Sequence, residues 1–157
     1  MIVKEFRAKI KPGIKLSVED KDFLVKQVVK FRFDDGSYYV KCWLENGYVF
    51  ADDAENNIFI LVKEVKTSFT EPFHKKMEYE NKKFNFLYKA HAVAEEVYGA
   101  ELADGGFGKG EGEAFWDYKS QDNSYLSLGV NDKTGKRQDF YGKIVNSDLV
   151  KIYGAEL

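Results

Sequence analysis

The sequence predicts a mostly β fold: an antiparallel sandwich or partly open barrel, built from two consecutive sheet-forming halves. Aromatic residues make up 16% of the 157 residues, with 13 Phe and 10 Tyr, and such rings pack well on pleated strands. Turn sequences containing Gly, Asn and Asp recur at intervals of roughly ten residues. The segments between these turns are short, and several alternate apolar with polar side chains.

The turns fix where the strands are expected. Asp35-Gly36 and Asn46-Gly47 are typical of tight hairpins, because these residue pairs tolerate positive φ angles. Longer polar turns lie at 52–57, 120–124 and 131–136. The predicted strands are Phe23–Phe33, Tyr38–Leu44, Tyr48–Ala51, Ile58–Val65, Ala114–Tyr118, Tyr125–Val130, Gln138–Val145 and Leu149–Tyr153.

Two segments leave helix and strand open. In Leu16–Val29, apolar residues recur at spacings compatible with a helix. Residues 90–98 contain alanine and glutamate, which favour helix. However, they follow an alternating Phe84-Asn85-Phe86 pattern, so we predict that 90–98 continue a long strand.

One domain over residues 1–157 is expected, since a chain of this length buries enough surface to fold without disulfides or metal. Residues 66–83 are polar and contain Pro72. They are predicted to connect an N-terminal half, about 1–65, to a C-terminal half, 84–157.

Charge and composition exclude several function classes. The net charge is −2 and acidic residues dilute the basic cluster at His74-Lys75-Lys76, so nucleic acid is not an expected partner. The single cysteine, Cys42, offers no disulfide framework. No apolar run reaches transmembrane length, so no transmembrane segment is expected, and a cytoplasmic location is predicted.

Phosphate, metal and cofactor sites are not predicted. The glycine-rich segment 105–112 lacks the Ser or Thr that should follow Lys109 in a phosphate-binding loop, and it is interpreted as a turn between two strands. His74 and His91 are far apart, and neither Cys42 nor any acidic turn completes a ligand set.

Two residue sets are candidates for function. Glu111, Glu113 and Asp117 are acidic candidates for acid–base chemistry, because Glu111 and Glu113 share a face of an extended chain. The aromatic candidates for ligand or partner binding are Trp43, Trp116, Tyr118, Tyr125 and Tyr141. The other interpretation of the aromatic set is that it fills the interior of the sandwich or barrel.

Several runs resemble DUF4178, a bacterial family of uncharacterised domains. They are Ala92–Gly99, Gly110–Tyr118, Tyr125–Leu128 and Tyr141–Val145, with Trp43-Leu44 and Ile58–Val62 in the first half. The resemblance extends from about residue 12 to residue 153. It implies a β-rich bacterial domain and supplies no site, because the family has no established activity.

The sequence therefore favours a non-enzymatic function. No nucleophile, base and metal set is evident, whereas aromatic side chains are abundant, which favours a binding or adaptor module for a protein partner or a second copy of the chain. The alternative is a β-barrel carrier of a small ligand. A second alternative is a hydrolase that uses the acidic candidates.

Overall fold

The computed structural model describes residues 1–53, 56–99 and 107–154. Within these ranges the chain forms one α-helix, eleven strands and two short 3₁₀ turns, at Glu45–Gly47 and Ser147–Leu149. The helix is α1 (Val3–Lys9). The strands are β1 (Lys15–Val18), β2 (Lys21–Phe33), β3 (Tyr38–Leu44), β4 (Tyr48–Asp53), β5 (Ile58–Val65), β6 (Lys76–Tyr79), β7 (Lys82–Gly99), β8 (Gly112–Ser120), β9 (Ser124–Asn131), β10 (Arg137–Val145) and β11 (Val150–Tyr153).

The strands form one antiparallel sheet that closes on itself. Their order is β11-β1-β2-β3-β4-β5-β10-β9-β8-β7-β6, and β2 also pairs with β7. Among the described residues, eight strands therefore form a closed barrel, in the order β2-β3-β4-β5-β10-β9-β8-β7. The other three, β1, β11 and β6, extend the sheet beyond the barrel. The predicted mostly β antiparallel fold is confirmed, in its barrel form. Closure pairs the strand edges that an open sheet would leave exposed.

The barrel consists of two four-stranded meanders, β2–β5 and β7–β10. They join where β2 pairs with β7 and where β5 pairs with β10. One strand precedes each meander, β1 or β6, and it forms a hairpin with the first strand of that meander. The two turn residues of each hairpin have positive φ. These turns, Glu19-Asp20 and Glu80-Asn81, match the twist of paired strands. Of the predicted connection 66–83, residues 66–75 link the meanders, and the remainder forms this second hairpin.

Both faces of β3 are buried, and this explains its almost continuous apolar sequence. Val40, Cys42 and Leu44 face outward into a cluster that α1 covers, while Tyr39 and Trp43 face the interior. The helix contributes Phe6, whose ring centroid lies 5.4 Å from that of Phe50 and 5.2 Å from that of Phe59. A second outer cluster, on β7–β10, lies under residues 66–75 and β6.

The structure decides both segments that the sequence left open, and it contains one helix that the sequence did not predict. The helical interpretation of Leu16–Val29 is wrong, because the segment forms β1 and β2. Helix α1 was not anticipated; it is seven residues long and is held by burial of Val3 and Phe6 rather than by strong propensity. The strand predicted over residues 90–98 is confirmed as part of β7. Within the described ranges, no helix has the length and apolar character needed to cross a membrane.

Candidate ligand-binding cavity

The barrel encloses a cavity of about 1270 Å³ that opens to solvent at one end. The open end is where β2 leads into β3 and β8 leads into β9. Small residues on the inner faces of the strands, such as Ala51 and Ala90, leave this space empty. Its apolar wall includes Val49, Ile58, Ile60, Val62, Phe140 and Ile144.

Phe107 closes the opposite end. It belongs to the short segment before β8 and packs between Phe31 and Trp43, at ring-centroid distances of 5.1 and 5.8 Å. The fully buried Gln27 amide donates to the Phe107 carbonyl at 3.1 Å and accepts from its backbone N–H at 3.2 Å. A buried side-chain amide thus satisfies both backbone groups of a residue outside the strands.

Glu111 fixes the segment that carries Phe107. Its carboxylate accepts a hydrogen bond from the Gly108 backbone N–H at 2.7 Å and one from the Asn131 amide at 3.1 Å. The acidic candidate Glu111 therefore has a structural role at the closed end. Of the glycine-rich segment 105–112, Gly105 and Gly106 lie outside the described residues.

Asp117 is the centre of a hydrogen-bonded group inside the cavity. It is 4% exposed, and its carboxylate accepts from Ser127 Oγ at 2.5 Å and from the Tyr125 hydroxyl. The Tyr88 hydroxyl also hydrogen-bonds to this group. Burial raises the pKa of Asp117 to about 6, and the three hydroxyls oppose that rise because they stabilise the ionised form.

Aromatic rings form a wall beside Asp117. The centroid of Phe115 lies 5.9 Å from that of Tyr39 and 6.2 Å from that of Tyr88, both edge to face. Phe33 stacks on Tyr39 at 5.1 Å. We call Phe33, Tyr39, Tyr88 and Phe115 the aromatic wall; all four also line the cavity.

Lys41 and Glu113 form a buried ion pair deeper in the barrel. Lys41 Nζ lies 3.6 Å from Glu113 Oε1, and the two side chains are 9% and 4% exposed. The ammonium also lies 4.4 Å from the ring centroid of Phe140 and 5.2 Å from that of Trp43. Charge pairing and ring contacts compensate in part for the loss of water around both ions.

The mouth carries mostly polar side chains with two apolar ones among them. Leu87 and Tyr88 remain partly exposed there. The polar residues at the mouth are Asp34, Asp35, Ser37, Asp53, Asn56, Lys119 and Asn123.

The five residues of the predicted aromatic set lie in two different parts of the structure. Trp43 and Tyr125 are buried in the barrel interior. Tyr118 is fully buried in the second outer cluster, and Trp116 and Tyr141 pack on its edge. Residues 66–75 contribute Phe73, whose ring lies 4.9 Å from that of Trp116.

The acidic set is also divided. Glu113 and Asp117 both face the cavity, whereas Glu111 lies in the segment that carries Phe107. Glu113 and Asp117 are four residues apart on one strand, a separation of about 13 Å between their Cα atoms. The two carboxyl groups also have different partners, which are Lys41 for Glu113 and the three hydroxyls for Asp117.

Sequence reasoning missed the site roles of Lys41, Tyr88, Phe107 and Ser127. A signal for three of them existed, because each shares strand parity with an interior neighbour: Lys41 with Trp43, Tyr88 with Ala90, and Ser127 with Tyr125. Phe107 gave no such signal, since it is outside any strand.

The residues described include neither a metal site nor a reactive thiol. No group of three or more His, Cys, Asp or Glu side chains within them is arranged to hold a metal ion. Cys42 is buried beneath α1, and burial raises the pKa of its thiol well above the usual range. A thiol in that state is a poor nucleophile.

Comparison of the chain with known proteins returns no match, whether with family models, curated proteins or solved structures. The resemblance to DUF4178 therefore stays a prediction, and function is argued from the geometry of the barrel.

Proposed function

We propose that this protein binds a small amphipathic organic molecule inside its barrel, without chemical conversion. The cavity of about 1270 Å³ carries this proposal. Ligand pockets are typically apolar hollows of roughly 300–1,000 Å³ with a few polar groups that orient the ligand. The barrel interior has this composition, with aliphatic and aromatic walls around the Asp117 group and the Lys41–Glu113 pair.

Two other functions receive less support. A protein partner held by the predicted aromatic set would need those rings at the surface, yet Trp43, Tyr118 and Tyr125 are buried. A two-carboxylate hydrolase would need two free carboxylates, but Glu113 is paired with Lys41. The carrier is therefore the function that we propose.

The test is titration with Nile red, a neutral dye whose emission shifts to the blue in apolar surroundings. We expect saturable binding with one dye per protein. Ala90→Phe adds a ring on the cavity side of β7, and it should weaken binding at least tenfold. Native mass spectrometry of the protein as purified should also show an added small-molecule mass where a natural ligand is retained.

Ala114→Phe is the matched control. Ala114 neighbours Phe115 on β8 and therefore projects from the opposite, outer face, so the same ring is added outside the cavity. This variant should bind the dye as the wild type does. Absence of saturable binding, or equal losses in both variants, would contradict the proposal.

A further inference from the structure

The charge around the cavity is mainly negative. Six carboxylates and three lysines line its described walls and mouth. Asp52 is paired with Arg7 outside the barrel, and Lys41 is paired with Glu113 inside it.

The remaining lysines do little to offset that charge. Lys89 Nζ lies 4.8 Å from the ring centroid of Trp116 on the outer face. Lys119 lies at the mouth, together with Asp34, Asp35 and Asp53. Among the described side chains, no cation forms an ion pair with Asp117. The charge of Lys41 reaches Asp117 and lowers its pKa, but Lys41 is already paired with Glu113.

The hydrogen bonds of Asp117 favour its ionised form. Tyr88, Tyr125 and Ser127 each present a hydroxyl to it. An ionised carboxylate offers about four lone-pair positions, so three donors leave room for one more. Burial of a carboxylate without an ion pair is costly, and a cationic ligand would offset that cost.

The aromatic wall supplies the second requirement for binding an organic cation. The faces of Tyr and Phe rings attract ammonium groups within about 6 Å. Phe115 lies two residues before Asp117 on β8, and on the same inner face, so rings and carboxylate meet in one part of the cavity. The aliphatic side chains of β5 line another wall and are available to an apolar tail.

We infer that the ligand is an amphipathic organic cation, whose ammonium group lies between Asp117 and the aromatic wall. This inference rests on the proposed binding function and specifies its ligand class. The competing arrangement, an anion on Lys41, is disfavoured because Glu113 already lies 3.6 Å from that ammonium and would repel it.

The experiment compares three probes with the same eight-carbon tail: octyltrimethylammonium, 1-octanol and octanoate. Each displaces Nile red from the full chain at constant ionic strength and pH 7.5. The cation should displace the dye at a concentration at least tenfold lower than either of the other two probes. Asp117→Asn keeps the side-chain shape but removes the charge. It should weaken binding of the cation about tenfold and leave binding of 1-octanol unchanged.

Asp22→Asn is the control for long-range charge. Asp22 is exposed near the start of β2, whereas the mouth lies at the end of that strand, about 36 Å away along the chain. This variant changes the net charge by the same amount and should bind all three probes as the wild type does.

The outcomes separate the two proposals. The cation inference would be overturned, with dye binding intact, by any one of three results. These are equal displacement by the cation and the alcohol, strongest displacement by octanoate, or equal losses of cation affinity in D117N and D22N. Failure of Nile red itself to bind would overturn the proposed function and this inference together. Circular dichroism of D117N confirms that the variant is folded before its binding is compared.

Discussion

The two ends of the barrel differ although the same eight strands form both. At the closed end Phe107 fills the interior, and the buried Gln27 amide satisfies its backbone. At the open end small side chains and the hydroxyls around Asp117 leave space. The strands form the wall, and one residue from a connecting segment decides which end stays open to solvent.

The largest effect is expected at the closed end. Phe107→Ala should lower the free energy of unfolding by about 3–5 kcal/mol, because it removes a buried ring and leaves a cavity. Leu87→Ala truncates a partly exposed side chain at the open end and should change it by less than about 0.5 kcal/mol. Urea denaturation measures both, and equal losses would show that the ends do not differ in packing.

The next effect concerns the amide that holds Phe107. Gln27→Met keeps the side-chain length but leaves the Phe107 N–H and C=O buried without their partner, at a cost of about 2–3 kcal/mol. Hydrogen exchange at the Phe107 amide should also become faster. Lys119→Met at the mouth is the control, and an unchanged exchange rate in Q27M would contradict the role given to Gln27.

At the open end, the negative charge of Asp117 should lower the free energy of unfolding. The folded-state pKa of Asp117, about 6, lies above its ordinary 3.8, so the folded protein holds this proton more tightly than the unfolded chain. The contribution of Asp117 to stability is therefore most favourable below about pH 4 and is lost as pH rises through 6.

Asp117→Asn should accordingly stabilise the protein at pH 7.5 by up to about 3 kcal/mol. The gain should shrink at pH 5 and be absent at pH 4. Urea denaturation at the three pH values provides the comparison. A gain that does not depend on pH would show that the carboxylate is not the cause.

The smallest effect concerns His91, which connects turns from the two ends. Its ring lies 2.6 Å from Asp132 of the β9–β10 turn and 3.0 Å from Asp34 of the β2–β3 turn. Hydrogen bonds to Asp132 and then Asp34 raise the pKa of His91, so the contribution is present below its ordinary 6.5 and is lost as pH rises through the raised value.

His91→Gln should therefore lower the free energy of unfolding by less than about 1 kcal/mol at pH 5.5, as expected for a partly exposed ion pair, and by nothing measurable at pH 9. Asp132→Asn should produce a similar loss at pH 5.5. A loss of equal size at both pH values would exclude the charged pair as its source.

Local chemistry was enough to place most strands. Asn46 and Gly47 both adopt positive φ, as an Asn-Gly turn predicts, and the predicted bounds of Tyr38–Leu44 and Ile58–Val65 coincide with β3 and β5. Alternation over residues 84–98 indicated a strand despite its alanines. Those alanines line the barrel interior, where their small size matters more than their helix propensity.

The candidate site was less predictable than the fold. Asp117 and Tyr125 were identified as separate candidates, and the hydrogen bond between them was not. Their pairing depends on the β8–β9 register, which sets Asp117 opposite Ser127 and brings Tyr125 within reach. Strand parity groups Lys41 with Trp43, but only the tertiary structure decided that this face of β3 turns inward.

The sequence by itself determined the strands, their turns and the alternation that gives each strand two faces, because these depend on neighbouring residues. Only the tertiary structure decided which face became the interior. Both faces of β3 are apolar enough to be buried, so the choice required α1 on one side and β2–β7 closure on the other. The β2–β7 closure joins residues 59 to 72 positions apart, and no local pattern encodes that contact.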